Sequence, residues 1–332
     1  MELVGISAII LVALVFDYTN GFHDAANSVA TSVGTRALNP KAALAIAAVF
    51  NLIGGFLGHG VAKTVGQGII QAPAGNHGLA VIFSALVGAI TWNIVTWYFG
   101  LPSSSSHALI GGLVGAALVS GGLVKWAGVF QSVILPMFIS PLIGFTLAYL
   151  LMTAIMWSFR RVAPAKVSRG FRIAQRFSVA GLSLGHGLQD AQKTMGVIVL
   201  ALVIGGHQTT FDVPVWVTVS AALAISAGTY SGGWRIMRTL GRRVIDLDPP
   251  RGFAAETTSA LVLYTTAFIF KAPVSTTHVM SSGIMGVGAT RRVKAVRWAV
   301  ARSMVTAWIL TLPAAAAAAA LVYLVVHLVT GA

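Results

Sequence analysis

The chain has 332 residues, 56% of them hydrophobic and only 9% charged, against about 25% charged in an ordinary soluble domain. That balance argues against a water-soluble globule. The formal net charge of +14 does not signal nucleic acid, because Lys and Arg cluster in loops between apolar segments, the positive-inside pattern of a polytopic membrane protein. No cysteine is present, so disulfide scaffolds and thiolate metal sites are excluded and the redox compartment is unmarked.

Apolar segments fall at residues 3–33, 42–62, 79–99, 102–120, 128–157, 177–204, 213–230, 253–270, 273–290 and 303–330, most near the roughly 20 residues that cross hydrocarbon. The first lacks a basic n-region and a small-residue cleavage site, so it reads as a retained span and not a removable signal. A polar stretch from Asp17 to Asp24 interrupts it, and the sixth is interrupted between Ser183 and Lys193. Three basic loops orient the chain: residues 160–176, 231–252 and 291–302, all expected on the cytoplasmic side. The loops 121–127 and 205–212 carry one basic residue (Lys125) and none. With one crossing per segment the sides alternate, and both termini are expected outside; two extra hairpins would leave this alternation unchanged.

The chain reads as a repeat. GFHDAANSVAT at 21–31 has a partner in GLQDAQKTMGV at 187–197, an offset of 166, and LPSSSSHALIGGLVG at 101–115 has one in APVSTTHVMSSGIMG at 272–286, an offset of 171. Five segments per half invert the second copy in the bilayer. The expected organisation is an all-α integral membrane fold of about 10–12 transmembrane segments, as two inverted repeats with broken or re-entrant helices. Residues 1–159 form the first repeat, 160–176 a basic cytoplasmic linker and 177–332 the second repeat. Inverted repeats of this kind characterise secondary transporters, with the site at the midplane.

Of eight acidic residues, Glu2, Asp212, Asp246 and Asp248 lie at a terminus or in loops, whereas Asp17, Asp24, Asp190 and Glu256 sit in or beside apolar spans. A carboxylate at the bilayer centre costs about 2.5–3.5 kcal/mol on insertion scales, so it must be paired, protonated or facing a wet cavity. Asp24 and Asp190 occupy equivalent repeat positions and read as cation ligands or proton carriers at a substrate site. Asp17 and Glu256 have no acidic counterpart, and a structural hydrogen-bonding role competes evenly for them.

The second motif pair is Pro-x-Ser-[Ser/Thr]-[Ser/Thr]-His, at Pro102, Ser104, Ser105, Ser106, His107 and at Pro273, Ser275, Thr276, Thr277, His278. Proline admits a helix start, and consecutive hydroxyls beside free backbone N–H groups make a donor-rich nest suited to a tetrahedral oxyanion. Ordinary capping explains one such run less well when it recurs by symmetry inside membrane segments. His23, His107 and His278 could donate to the anion or relay protons, or simply bond backbone carbonyls. No HxH or HxxxH spacing supports zinc. His59, His77, His186, His207 and His327 read as interfacial or structural. Lys193 stands where the first repeat has Asn27, with Asp190 three residues earlier on the same helical face; snorkelling to an interface is the alternative.

At these motifs the chain resembles the inorganic phosphate transporter (PiT) family, specifically its bacterial low-affinity members, over nearly its whole length. The resemblance implies phosphate symport, a homodimer, no cofactor, and a phosphate and coupling-ion site lined by Asp24, Asn27, Asp190, Ser104, Ser105, Ser106, Ser275, Thr276 and Thr277. Two departures matter. The sodium-driven members carry Asn-Asp in both signatures with an Asn three residues on, whereas this chain has His23-Asp24, Gln189-Asp190 and Lys193. A tethered ammonium would fill space for a sodium ion, so proton coupling is expected, with phosphate carried alone or as a divalent metal–phosphate complex. Energetics demand coupling: each charge moved through 100 mV is worth about 2.3 kcal/mol, so a dianion entering an inside-negative compartment needs two positive charges beside it. Sulfate fits the hydroxyl nests as well, but cannot donate a proton to a carboxylate as phosphate can. A serine–histidine enzyme gives no reason for duplicating its site by inversion, and an anion channel calls for a continuous basic pore.

Overall fold

In lipid, backbone N–H and C=O groups must be satisfied within the chain, and the apolar runs do so as helices. In a computed structural model, which describes residues 2–331 and side chains from Gly5 onward (Glu2's side chain lies outside that range), twelve helices are ordered as six and six. They are α1 (Glu2–Gly34), α2 (Pro40–Gly54), α3 (Gly60–Gly68), α4 (Asn76–Phe99), α5 (Ser105–Val119) and α6 (Trp126–Ser158); then α7 (Pro164–Ile204), α8 (Val215–Ser231), α9 (234–243), α10 (Pro249–Phe270), α11 (Thr276–Ala289) and α12 (Trp298–Thr330). Six of them (α1, α4, α6, α7, α10, α12) are long and apolar enough to span a bilayer. The only strands among the described residues are a ribbon of two-residue pieces, Ile70–Gln71 against Leu123–Val124.

The two halves interlock. α1 packs on α8 and α7 on α2, so each central helix lies against the other half's second helix. Signature glycines make this possible: a Cβ on Gly21 would stand 2.4 Å from Ile225 O, and one on Gly187 would stand 2.1 Å from Asn51 O. Small residues thus let backbones touch where no hydrophobic force drives association. The last helices are exchanged as well, α12 packing on α4 and α5 while α6 packs on α10 and α11. The alanine run of α12 serves this packing, with Ala319 against Gly88.

Three sequence expectations are corrected. The polar stretches at 17–24 and 183–193 do not interrupt their helices; α1 and α7 run through them unbroken, because their side chains bond other side chains or add to helix carbonyls, as Thr19 and Ser183 do, without replacing a rung of the backbone ladder. The segment 42–62 is two helices, separated by the turn at 55–59, and its counterpart is α8 followed by α9. The basic segments are mostly not loops: α7 begins at Pro164, and 234–243 is helical.

The charge pattern is organised in space. Arg297 bonds Arg242 O and Asp246, and Pro164 and Ser168 share a surface cleft with Asp248 and Arg251, so all three basic segments gather at one end. The weakly charged connections meet at the other: Gly75 N bonds Ile204 O, the 70–71 strand pairs with 123–124, and Lys125 Nζ bonds Gln67 O.

The real breaks lie at 100–104 and 271–275. Gly100 (φ 66°) and Lys271 (φ 50°), equivalent under the 171 offset, both turn left-handed. Gly100 O accepts from Thr239 near the basic end, whereas Lys271 O accepts from Thr64 of α3, so the two breaks enter from opposite ends. The half-helices that follow, α5 and α11, have 15 and 14 residues, about 22 Å at 1.5 Å per residue. They start in the interior.

Candidate functional site

The first hydroxyl of each nest caps its half-helix: Ser104 Oγ accepts from His107 N and Ser275 Oγ from His278 N, both at 3.2 Å. The next hydroxyls reach the signature carboxylates on α1 and α7. Ser105 Oγ donates to Asp24 Oδ2 (2.9 Å), Thr277 Oγ1 to Asp24 Oδ1 (3.4 Å) and Thr276 Oγ1 to Asp190 Oδ2 (3.4 Å). Both halves therefore contribute to one cluster. Asn27 and Lys193 complete it across the pseudo-symmetry: Asn27 Nδ2 donates to Thr277 (2.8 Å) of the second nest, and Lys193 Nζ donates to Ser106 of the first.

Every one of these side chains is buried. Lys193 does not snorkel; it pairs with Asp190 and also donates to Val274 O at 3.2 Å. Leaving such an ammonium unpaired would cost several kcal/mol, so its position is fixed by the carboxylate one turn earlier. The cluster holds two carboxylates and this one ammonium, which pairs with Asp190.

His23 and its counterpart Gln189 act as braces. His23 bonds Asp24 Oδ1 (2.6 Å) and lies 3.1 Å from Thr96 Oγ1 and 3.3 Å from Ser103 Oγ. Gln189 Nε2 donates to Thr266 (2.9 Å) and toward Ala272 O (3.4 Å). Each ties its central helix to the break that opens the neighbouring nest. His107 and His278 turn away from the carboxylates and meet each other, ring centroids 4.9 Å apart, with His278 stacked on Trp308 at 4.1 Å.

The sequence reading takes His186 as interfacial or structural, yet the structure sets it beside a signature aspartate. It is buried, with Nε2 3.0 Å from Asp190 Oδ2 and Nδ1 3.2 Å from Asn51 Oδ1. Its spacing of four residues from Asp190 on one helical face was the available signal. Asp24, His186 and Asp190 each offer one ligand atom within 4.8 Å of the others, a spacing at which they could share one cation. Glu256 lies elsewhere, fully buried, accepting from Thr31 (2.7 Å), Gln175 (3.0 Å) and Ser178. It clamps α1, α7 and α10 together.

Chemically, the cluster is buried, with hydroxyls, half-helix N-termini and one ammonium as donors beside two aspartates whose negative charge calls for a cation.

Comparison with known proteins agrees with this chemistry. The profile of the Phosphate transporter family matches residues 20–166 and 159–319. A protein of Rhizobium meliloti (strain 1021) described as a "Probable low-affinity inorganic phosphate transporter" is 50% identical over 325 residues, covering 97% of this chain and 96% of its own. A Bacillus subtilis (strain 168) protein of the same description is 42% identical over 324 residues, covering 97% of each chain. A solved structure described as "The sodium-dependent phosphate transporter" superimposes with a TM-score of 0.90 over 98% of this chain and all of the other, at 24% identity, and so shares the fold.

Proposed function

From the premise that this chain belongs to the Phosphate transporter family and is a multi-pass protein of the cell membrane, we propose that it imports inorganic phosphate by symport with protons. Phosphate sits between the two nests, held by Ser105, Ser106, Thr276 and Thr277 and by the amides that begin α5 and α11. One observation carries this reading: hydroxyls from both repeats converge on Asp24 and Asp190 in a single buried cluster.

The carboxylates explain the need for coupling. An oxyanion placed beside Asp24 and Asp190 meets like charge in a chamber with low effective dielectric, and one ammonium offsets one of the three negative groups. Protons neutralise the remainder and supply the positive charge that import requires against an inside-negative potential. Lys193 occupies the place that Asn27 has in the other half, which favours a proton over sodium as the companion. The close approach of Asp24, His186 and Asp190 also suits phosphate arriving with a divalent cation as a neutral complex. With breaks entering from opposite ends, rocking one half against the other exposes the chamber alternately to each side. A homodimer accords with the family resemblance.

Reconstitution into liposomes tests the proposal. Labelled phosphate uptake is expected to follow an imposed proton gradient, to ignore a sodium gradient and to resist excess sulfate. Uptake that needs sodium and disregards protons would overturn the coupling, and competition by sulfate would overturn the selectivity.

A further inference from the structure

Asp17 is used by nothing described so far. It lies two turns before Asp24 on α1, about 10 Å at 1.5 Å per residue, and is fully buried. Neither carboxylate oxygen has a hydrogen-bond partner, and Asn20, one turn on, has both amide atoms unpartnered as well. The Thr194 hydroxyl, also without a partner, faces Asp17, and Asp190 and Lys193 lie within electrostatic reach.

Such a carboxylate cannot be accounted for as an ion. A buried charge persists only when paired and hydrogen-bonded, and the one ammonium nearby is already committed to Asp190. Asp17, Asp24 and Asp190 would together set three negative charges against Lys193. The other groups here that can carry positive charge, His23 and His186, are held by Asp24 and Asp190. α4 and α8, which also pack on α1, carry no Asp, Glu, Lys or Arg between 76 and 99 or between 215 and 231; their other titratable groups are His77, Tyr98 and Tyr230.

The place is also where the repeat is broken. Under the 166 offset Asp17 corresponds to Ser183, whose hydroxyl bonds Val179 O at 2.7 Å, and Lys193 corresponds to Asn27. An acid present in one half only and a lysine present in the other only have been brought together. Asp17, Asn20, Asp24, Asn27 and Thr31 recur at spacings of three and four, so they share one face of α1. Asp17 is at the end of that stripe facing the weakly charged end of the molecule.

We propose that Asp17 is a proton-binding site outside the phosphate cradle, loaded from the weakly charged end and emptied toward the basic end; this rests on the proton-symport reading above. One proton adds to the carboxylate to give the neutral acid that the closed chamber requires. The same proton leaves to water when the chamber opens on the other side, restoring the carboxylate.

The test compares wild type, Asp17→Asn and Asp17→Glu in liposomes by two transport assays, with infrared difference spectroscopy of the purified proteins. Asp17→Asn is expected to lose uptake driven by a proton gradient yet to keep phosphate–phosphate exchange at equal pH, which needs no net proton movement. Asp17→Glu is expected to restore driven uptake. Wild type is expected to show a carboxylic-acid carbonyl band that Asp17→Asn lacks. Driven uptake that survives in Asp17→Asn, parallel loss of uptake and exchange in a folded Asp17→Asn, or spectra without that band would each overturn the assignment while leaving proton symport standing. A wild-type protein indifferent to the proton gradient would instead overturn the symport reading, and this site's coupling role with it.

Discussion

The two halves of the molecule solve the same geometric problem with different charges. In each, a signature aspartate on a long central helix faces the hydroxyls of half-helices, the first hydroxyl caps its helix at 3.2 Å, and a left-handed residue turns the chain into the break. Around this shared frame the charges diverge: Asn27 is replaced by Lys193 in the other half, His23 by Gln189, and Asn20 by His186. What is duplicated therefore suits a roughly symmetric oxyanion approached from two sides. What is not duplicated suits the ion that travels with it, because a proton or cation needs one place to bind.

The sharpest way to break the comparison is to remove one aspartate. Asp190→Ala strands Lys193 in the interior, where loss of a partner costs about 3–5 kcal/mol, and should abolish uptake and lower thermal stability in detergent. Asp24→Ala strands no ammonium, so it should abolish uptake with a smaller stability loss. Equal destabilisation of the two would deny that Lys193 depends on Asp190.

Next comes the exchange of Lys193 for the residue its counterpart carries. Lys193→Asn should lose proton-driven uptake and gain stimulation by sodium, seen as uptake under each gradient separately. A variant that still follows protons and ignores sodium would remove the lysine from the choice of ion.

Single hydroxyls sharpen the comparison instead. Ser105→Ala and Thr276→Ala each delete one hydrogen bond to a charged group, worth about 1.5–3 kcal/mol, and the two should depress phosphate affinity by similar factors, roughly tenfold to a hundredfold. A large effect in one half and none in the other would show that only one nest meets the anion. The smallest effect is expected at the breaks. Gly100→Ala places a side chain at φ 66° and should cost about 1 kcal/mol of stability, whereas Lys271→Gly should stabilise slightly, both read by thermal melting.

Much of this was legible in the sequence because membrane insertion penalises polar residues so heavily. Asp24, Asp190 and both hydroxyl runs stood out against apolar surroundings, and Lys193 announced its partner through a spacing of three. The all-α fold of inverted repeats followed from motif offsets and loop charge. Helix continuity was harder to see, since a polar residue that a helix can carry, like Thr19 or Ser183 bonding a carbonyl one turn back, reads in sequence like a break. His186 reads as structural in the sequence because its one local signal is the spacing of four from Asp190; Asn51, 135 residues away in sequence, shares its environment only after folding. The meeting of His107 with His278 likewise depends on how two half-helices approach, which no spacing records.

Equilibrium binding of labelled phosphate to purified protein would test the convergence of the two nests most directly, comparing wild type with Ser105→Ala and Thr276→Ala. One phosphate per chain, weakened by either substitution, is the predicted result. Two phosphates per chain, each sensitive only to the substitution in its own half, would contradict a shared chamber.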